Sequence, residues 1–273
     1  MNKILTFGLS LELACFTQLV WAQKDTPLPI TLHPWQSVQP LAKTEAYFTN
    51  LPADGKVDMP FVLKFGLSDG WGLAPIAKPM GGKSGHHHLL INTKLPLDIT
   101  KPIAFSEKYV HFGKGQMETV LNLAPGKHTL RLLLADHEHK LHFVYSKEQT
   151  IIVTKKNSEL DPKSLAKKDI SFINIKAGDV FNSPFRVQFH ASGFNVAHAQ
   201  QKEKDTGHFR LILLRLRGGK FAEMSFANGQ TETWLSPPVG SYKLKLDLVS
   251  NEFPDKVLAT SDMVAIQVQS PPQ

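Results

Sequence analysis

Cysteine is almost absent: the chain of 273 residues has one, Cys15, and it lies in the apolar opening stretch. A protein without other thiols cannot be stapled by disulfides, and it has no thiolate for catalysis or soft-metal binding. After the opening stretch no apolar run approaches the roughly 18 residues that a membrane-spanning helix needs, so a chain that does not span the membrane is expected. Catalytic signatures are also missing. The sequence contains no nucleophile elbow, phosphate-binding loop or HExxH helix, and no second acid is nominated to work with Glu118 or Glu232. Net charge is +7, but the lysines are scattered and no basic stripe is interleaved with aromatics. No nucleic-acid partner is therefore expected.

The N-terminus reads as an address. Lys3 supplies a positive start, Ile4 to Val20 an apolar run, and Val20-Trp21-Ala22 a small-x-Ala cleavage site, the pattern of a secretory signal. Cleavage after Ala22 would remove Cys15 and send the product to a bacterial periplasm or outside the cell. Glu12 interrupts the run where a lipoprotein signal around Cys15 would need an apolar residue. Residues 23–43, with Pro27, Pro29, Pro34 and Pro40, read as an extended lead-in, because proline resists helices and central strands. Trp35 and His33 either pin this lead-in to the unit that follows or stand exposed.

The rest of the chain repeats itself. Phe48, Asn50, Ala53, Pro60, Phe61 and Phe65 recur in register as Phe172, Asn174, Ala177, Pro184, Phe185 and Phe189. Farther on, Gly115-Gln116-Met117-Glu118-Thr119 matches Gly229-Gln230-Thr231-Glu232-Thr233. Gly126-x-His128-x-Leu130 matches Gly240-x-Tyr242-x-Leu244. Two copies of one unit follow, over 44–154 and 170–270, joined by a lysine-rich linker at 155–169 with one helical turn near Ser164 to Lys168.

Phe61 to Phe65, Phe185 to Phe189 and Tyr242 to Leu248 alternate apolar and polar residues, as half-buried strands do. Proline and glycine separate the runs, no amphipathic helix intervenes, and each copy has roughly the length of an immunoglobulin domain. The expected fold is all-β: two tandem immunoglobulin-like antiparallel β-sandwich domains. Tyr242 and His128 occupy the place of a corner residue at the entry to a sandwich strand. The stretch from Gly66 to Gly85, with Trp71, reads as a long loop available for binding.

Six of the twelve histidines fall in two windows, Gly85-His86-His87-His88-Leu89-Leu90-Ile91 and Asp136-His137-Glu138-His139-Lys140-Leu141-His142. In extended backbone alternate side chains share a face. His86 and His88 would then point one way and His87 the other, while His137 and His139 form a second pair. Two such pairs offer four imidazoles to copper or zinc without any cysteine. Asp136 or Glu138 would serve as an outer acceptor orienting a ring, and His142 as a further ligand. The plainer reading makes His87 a core residue, hydrogen-bonded through its ring, and the other histidines a polar or pH-sensitive end of the sandwich. The second copy keeps His208 opposite His86 but has Phe209, Arg210, Asn251 and Phe253 opposite His87, His88, His137 and His139.

At Gly85-His-His-His-Leu-Leu-Ile91, Gly115-Gln-x-Glu118, Ala124-Pro-Gly-Lys-His-Thr-Leu130 and Asp136-His-x-His139-x-x-His142 the chain resembles the bacterial exported family known as domain of unknown function 4399. The resemblance covers Phe48 to Thr154, and Phe172 to Val268 in degenerate form. It maps the family's motif histidines to His86, His87, His88, His128, His137, His139 and His142, and it implies no catalytic role. Two functions follow as expectations. One is a binding protein whose first domain holds copper, zinc or a small ligand through His86, His88, His137 and His139. The other is a non-catalytic envelope adaptor that uses the Trp71 loop to hold a protein or glycan partner.

Overall fold

The structure is a computed structural model and describes residues 26–29, 31–39, 43–68, 70–77, 79–96, 98–103 and 106–270. The signal segment expected over residues 1–22 lies outside the described residues. So do the first residues of the lead-in.

Strand β1 (Gln36–Ser37) comes from the lead-in. The first copy then builds β2 (Ala46–Phe48), β3 (Lys56–Met59), β4 (Phe61–Leu67), β5 (Gly72–Leu73), β6 (Ser84–Ile91), β7 (Tyr109–Phe112), β8 (Glu118–Leu121), β9 (Gly126–Ala135), β10 (Leu141–Tyr145) and β11 (Gln149–Lys156). The second builds β12 (Asp169–Phe172), β13 (Val180–Asn182), β14 (Phe185–Ser192), β15 (Asn195–Val196), β16 (Thr206–Arg215), β17 (Phe221–Ser225), β18 (Glu232–Leu235), β19 (Gly240–Ser250), β20 (Val257–Thr260) and β21 (Val264–Gln269). Among the described residues the only helical element is a 3-10 turn, Pro162–Leu165, which Asp161 caps by accepting the Lys163 N–H. That capping starts the turn slightly ahead of the expected Ser164. No helix among them is long and apolar enough to cross a membrane.

The two copies have the same topology. In the first, a small sheet β2-β4-β8 faces a larger sheet β3-β11-β9-β6-β5, with β7 on β6 and β10 on β9. In the second, β12-β14-β18 faces β13-β21-β19-β16-β15, with β17 on β16 and β20 on β19. Most pairs are antiparallel, as expected of a sandwich. The edge pairs β3/β11, β5/β6, β13/β21 and β15/β16 run parallel. Registers coincide across the repeat: His86 faces Ala135 as His208 faces Val249, and Ile91 faces Leu130 as Leu213 faces Leu244. One aromatic trio sits at the heart of each copy. Phe65 contacts His87 and Phe112 at ring-centroid distances of 5.0 and 4.9 Å, and Phe189 contacts Phe209 and Phe226 at 5.2 and 4.9 Å.

The corner residues behave as their alignment suggests. The Tyr242 hydroxyl donates to the Pro238 carbonyl at 2.6 Å, and His128 Nε2 donates to the Ala124 carbonyl at 2.8 Å, each four residues back. His128 is thus a structural stand-in for tyrosine. The described lead-in pairs with the second copy, while Pro27 comes close to Gly82 of the first. β1 pairs with the edge of β18 through Gln36↔Leu235 and Ser37↔Trp234, and the Trp35 ring lies edge-on to Tyr242 at 5.7 Å.

The copies pack on each other reciprocally. The Leu73 N–H donates to the Gly229 carbonyl at 2.8 Å, and the Val196 N–H donates to the Gly115 carbonyl at 2.9 Å. Thr231 Oγ1 adds a two-way bond to the Leu67 backbone. The recurring Gln-x-Glu motifs start β8 and β18 here. Glu232 accepts from Tyr47 and Arg186, and Glu118 accepts from Ser192 Oγ at 2.7 Å and His190 Nε2 at 3.1 Å. Burial alone would raise the Glu118 carboxyl, but those two donors hold it below its ordinary value.

Close approach explains the glycine of each motif. A methyl group at Gly115 (φ +87°) would lie 2.0 Å from the Val196 carbonyl oxygen, and one at Gly229 (φ +78°) 2.3 Å from that of Leu73. Gly115→Ala or Gly229→Ala should therefore destabilise the protein by about 1–3 kcal/mol or more, through overpacking as well as backbone strain. Gly178→Ala should cost less, because its φ is +89° but nothing lies within 4 Å. Chemical denaturation of the three variants checks the order.

Candidate metal centre

Strand β6 carries the histidines. It lies between β9 and β7, and all eight of its residues are buried. Side chains alternate across it. His87, Leu89 and Ile91 enter the core between the sheets. His86 and His88 point to the outer face, beside Ala135 and Leu133 of β9, and His88 faces His111 of β7. An outer sheet face is ordinarily wet. Here the described residues of the 92–108 connection, including Leu95 and Ile103, cover it and build a second apolar cluster with Leu90, Leu133 and Ala135. The equivalent connection of the second copy is only 216–220.

A fourth ring arrives from the turn after β9. That strand ends at Ala135, and residues 136–140 fold back so that His139 takes a positive φ of 61°. The Asp136 carboxylate accepts the N–H groups of Glu138 and Lys140, both at 2.9 Å, and the Ile103 N–H donates to the His139 carbonyl at 2.8 Å. These bonds hold His139 over the sheet. His86, His88, His111 and His139 each present one ring nitrogen, and the four lie within 4.8 Å of one another. His86 Nε2 and His88 Nε2 are 3.0 Å apart, and the other centroid separations run from 4.7 Å (His86–His111) to 5.8 Å (His88–His139).

Four imidazoles around zinc, with Zn–N near 2.0–2.1 Å, sit about 3.3 Å from one another, so modest contraction would bring this group onto one ion. The donor set suits such an ion chemically. All four groups are neutral-capable imidazoles, which zinc and copper accept. Burial first, then the neighbouring imidazoles, pushes His86 down to about 2, and burial with His111 and His139 pushes His88 down to about 3. His111 and His139 shift down as well, chiefly through burial. Burial thus favours the neutral imidazole throughout the group, the form in which histidine ligates a metal.

The strand alternation read for the first window therefore holds, while that for the second does not. Because 136–140 form a turn, His137 and His139 do not share a strand face, and His137 is outside the four-residue group. It lines a small cavity instead, with Asp136, Met80 and His142. His111 takes the fourth place. Sequence reading left it unassigned, although carrying the Gly115/Gly229 match four residues upstream sets His111 against Ser225, one more histidine that the second copy lacks. The close fit is visible at Gly113, where a methyl group would lie 2.2 Å from the His111 ring.

The remaining candidates resolve differently. Asp136 buttresses the turn through backbone N–H groups, and Glu138 pairs with Lys140 at 3.0 Å, so neither carboxylate is seen orienting a ring. His142 Nε2 donates to the Ser84 carbonyl at 3.0 Å. Trp71 is half-buried, packs against the core and meets the His142 ring edge-on at 5.0 Å. Nor is the stretch around it a free loop: Leu73, Ala74 and Met80 are buried, and Gly72 bridges to Gln230. His87 is in the core, fully buried. Neither of its ring nitrogens has a hydrogen-bond partner among the described residues, contrary to the hydrogen-bonded core histidine expected.

The family model described as Domain of unknown function (DUF4399) matches residues 63–154 and again 187–269, well over half of the chain. The chain belongs to that family. Its two matched regions fall one in each of the two sandwiches described above. No curated protein matches this DUF4399 chain. Among solved structures it is similar to the chicken CNTN1 FN1–FN3 domains, with 12% identity over 84% of this chain and 69% of that one and a TM-score of 0.25. It is also similar to a two-domain fibronectin type III segment of chicken tenascin, with 12% identity, 81% and 95% coverage and a TM-score of 0.22. A third likeness is to the fibronectin(III)-like modules of Clostridium thermocellum CbhA, with 8% identity, 82% and 93% coverage and a TM-score of 0.23. Likenesses at these scores carry no argument about function.

His87 gives a prediction with a built-in comparison, since Phe209 fills the same place in the second copy. Two buried ring nitrogens without partners cost about 1–3 kcal/mol each, so His87→Phe should stabilise the fold. It should also flatten the pH dependence. Burial lowers His87 to about 3, so the unfolded chain takes a proton near pH 6.5 that the folded protein refuses. Stability is then complete above pH 6.5 and falls as the pH drops toward 3, by up to about 1.4 kcal/mol per unit for such a group. Urea titrations of both proteins at pH 7.5 and 5.5 measure the two effects.

Proposed function

We propose that this protein binds a transition metal ion, copper or zinc, in its first sandwich through His86, His88, His111 and His139. The observation that supports this best is the meeting of four imidazole nitrogens within 4.8 Å on a covered sheet face. A group this tight suits a single ion better than an organic ligand. The four rings come from three structural constraints: two from alternation on β6, one from the neighbouring β7, one from a turn with a positive φ. A sandwich can fold without them, as the second copy does. There Arg210 stands in the place of His88 and pairs with the buried Asp247 at 2.8 Å, opposite it on β19, while His208 bonds Asn251 at 2.7 Å. We place the protein in the periplasm or outside the cell, on the strength of the Lys3 to Ala22 signal pattern, and read it as a binding protein and not an enzyme. The adaptor reading loses its main support, because the Trp71 loop that would hold a protein or glycan is largely packed away.

Titration of the full chain with Zn(II) and with Cu(II) or Cu(I) should give one ion per chain. His86→Ala/His88→Ala and His111→Ala should each weaken binding by about 100-fold or more, at least what loss of a residue that merely orients a ligand can cost. At ion concentrations about 100 times the wild-type Kd the wild type should gain about 2.7 kcal/mol of folding stability, and the double variant about 0.4 kcal/mol or less. Equal binding by the wild type, His86→Ala/His88→Ala and His111→Ala would exclude this centre.

A further inference from the structure

Residues left out of the four-histidine group gather beside it. His137, Asp136 and His142 line a cavity of about 80 Å3 together with Met80, Ser84 and Gly85. Two of its walls are chain neighbours of the centre's ligands. Ser84-Gly85 lead into His86 on β6, and Asp136-His137 belong to the turn that delivers His139. Both walls are fixed. His142 ties itself to the Ser84 carbonyl, and the Asp136 carboxylate closes the turn on the N–H groups of Glu138 and Lys140.

His86 and His88 are wholly buried, His111 and His139 are half-buried, and His137, two residues before His139 on the same turn, is half-exposed. An ion arriving from solvent must shed water in steps, and each lost water needs a replacement donor. An imidazole at the rim, with a thioether near it, is such a donor for copper or zinc. A transit site must also be weak. Among the described residues only His86, His88, His111 and His139 bring three or more His, Cys, Asp or Glu donors close enough to share one ion, so the cavity brings fewer such donors together than the centre does.

We propose that this cavity is the loading port of the metal centre, with His137 as the transit ligand that passes copper or zinc to His139 and His86. The proposal rests on the metal-binding reading above. It makes a kinetic claim that the reading does not. A group that binds the ion only in passage lowers the barrier in both directions and leaves the end states unchanged.

The experiment follows uptake of Zn(II) and Cu(II) by the full chain in stopped flow, release of the ion into excess chelator, and the equilibrium Kd. It compares the wild type with His137→Ala, and with Met80→Leu as a second, independent change at the port. His137→Ala should slow uptake and release alike by about tenfold and leave Kd within about twofold of the wild type. A smaller slowing of the same kind is expected for Met80→Leu. Unchanged rates in His137→Ala, with normal wild-type affinity, would overturn the port and leave the centre standing. A Kd that weakens as much as uptake slows would make His137 a resident ligand and overturn it as well. No metal uptake by the wild type would remove centre and port together.

Discussion

The covering of β6 on both faces is the constraint on which the rest of the first sandwich depends. A sandwich strand normally buries one face and wets the other. Here the inner face, with His87, Leu89 and Ile91, joins the core, and the outer face is closed by the 92–108 connection through Leu95 and Ile103. Closing the outer face removes water from His86 and His88, and that desolvation, more than any neighbouring charge, pushes their pKa values down. Without the cover the same two residues would be an exposed pair on an ordinary sheet. With it they become neutral nitrogen donors held in a fixed relation to a third ring on β7 and a fourth on the turn.

The second copy shows what the same backbone does without this demand. Its connection is short, and the outer face around Arg210 is open. The site of His88 carries a guanidinium whose charge is balanced by Asp247 across the strand pair, with Lys245 at 3.2 Å and Thr260 at 2.8 Å completing the carboxylate's partners. Burial would raise Asp247, but these donors keep it low. A cation and its counter-ion satisfy each other internally, so that face is electrostatically closed. The four imidazoles of the first copy form a group with no carboxylate among its members, a donor set that could hold a metal ion.

Much of the architecture was legible in the sequence because the signals were local and repeated. Strand alternation in Phe61 to Phe65 and Tyr242 to Leu248, and the recurrence of Pro60-Phe61 as Pro184-Phe185, require only a period and a comparison. The corner role of His128 was readable for the same reason, since Tyr242 stands in its place. His86 and His88 were assigned to one face by the two-residue period of a strand, and β6 is a strand. His137 was misplaced because that period was carried past Ala135 into a turn, where a positive φ at His139 breaks it. His111 is brought in by cross-strand pairing with His88, a non-local relation that spacing within one segment does not encode. The reach of the lead-in to the second copy, through Trp35 on Tyr242, is non-local in the same way. The loop around Trp71 misled for another reason. Its glycines signal close approach as readily as mobility, and the reciprocal packing of the two copies uses them for approach.

That packing also bears on the centre. Gly72 and Leu73 of β5 pair on one side with Ser84 and Gly85, the start of β6, and on the other reach Gln230 and Gly229 of the second copy. The strand bearing His86 is thus joined to the second sandwich through one short intermediary. The second copy, which among the described residues has no such histidine group, still contributes to the first one's geometry, because it fixes the edge from which β6 begins. Precision of a few tenths of an ångström matters more for a set of ligands around one ion than for a hydrophobic core, which tolerates repacking. The tandem arrangement bears on that precision, because the second copy holds β5, and β5 holds the start of the strand that carries His86 and His88.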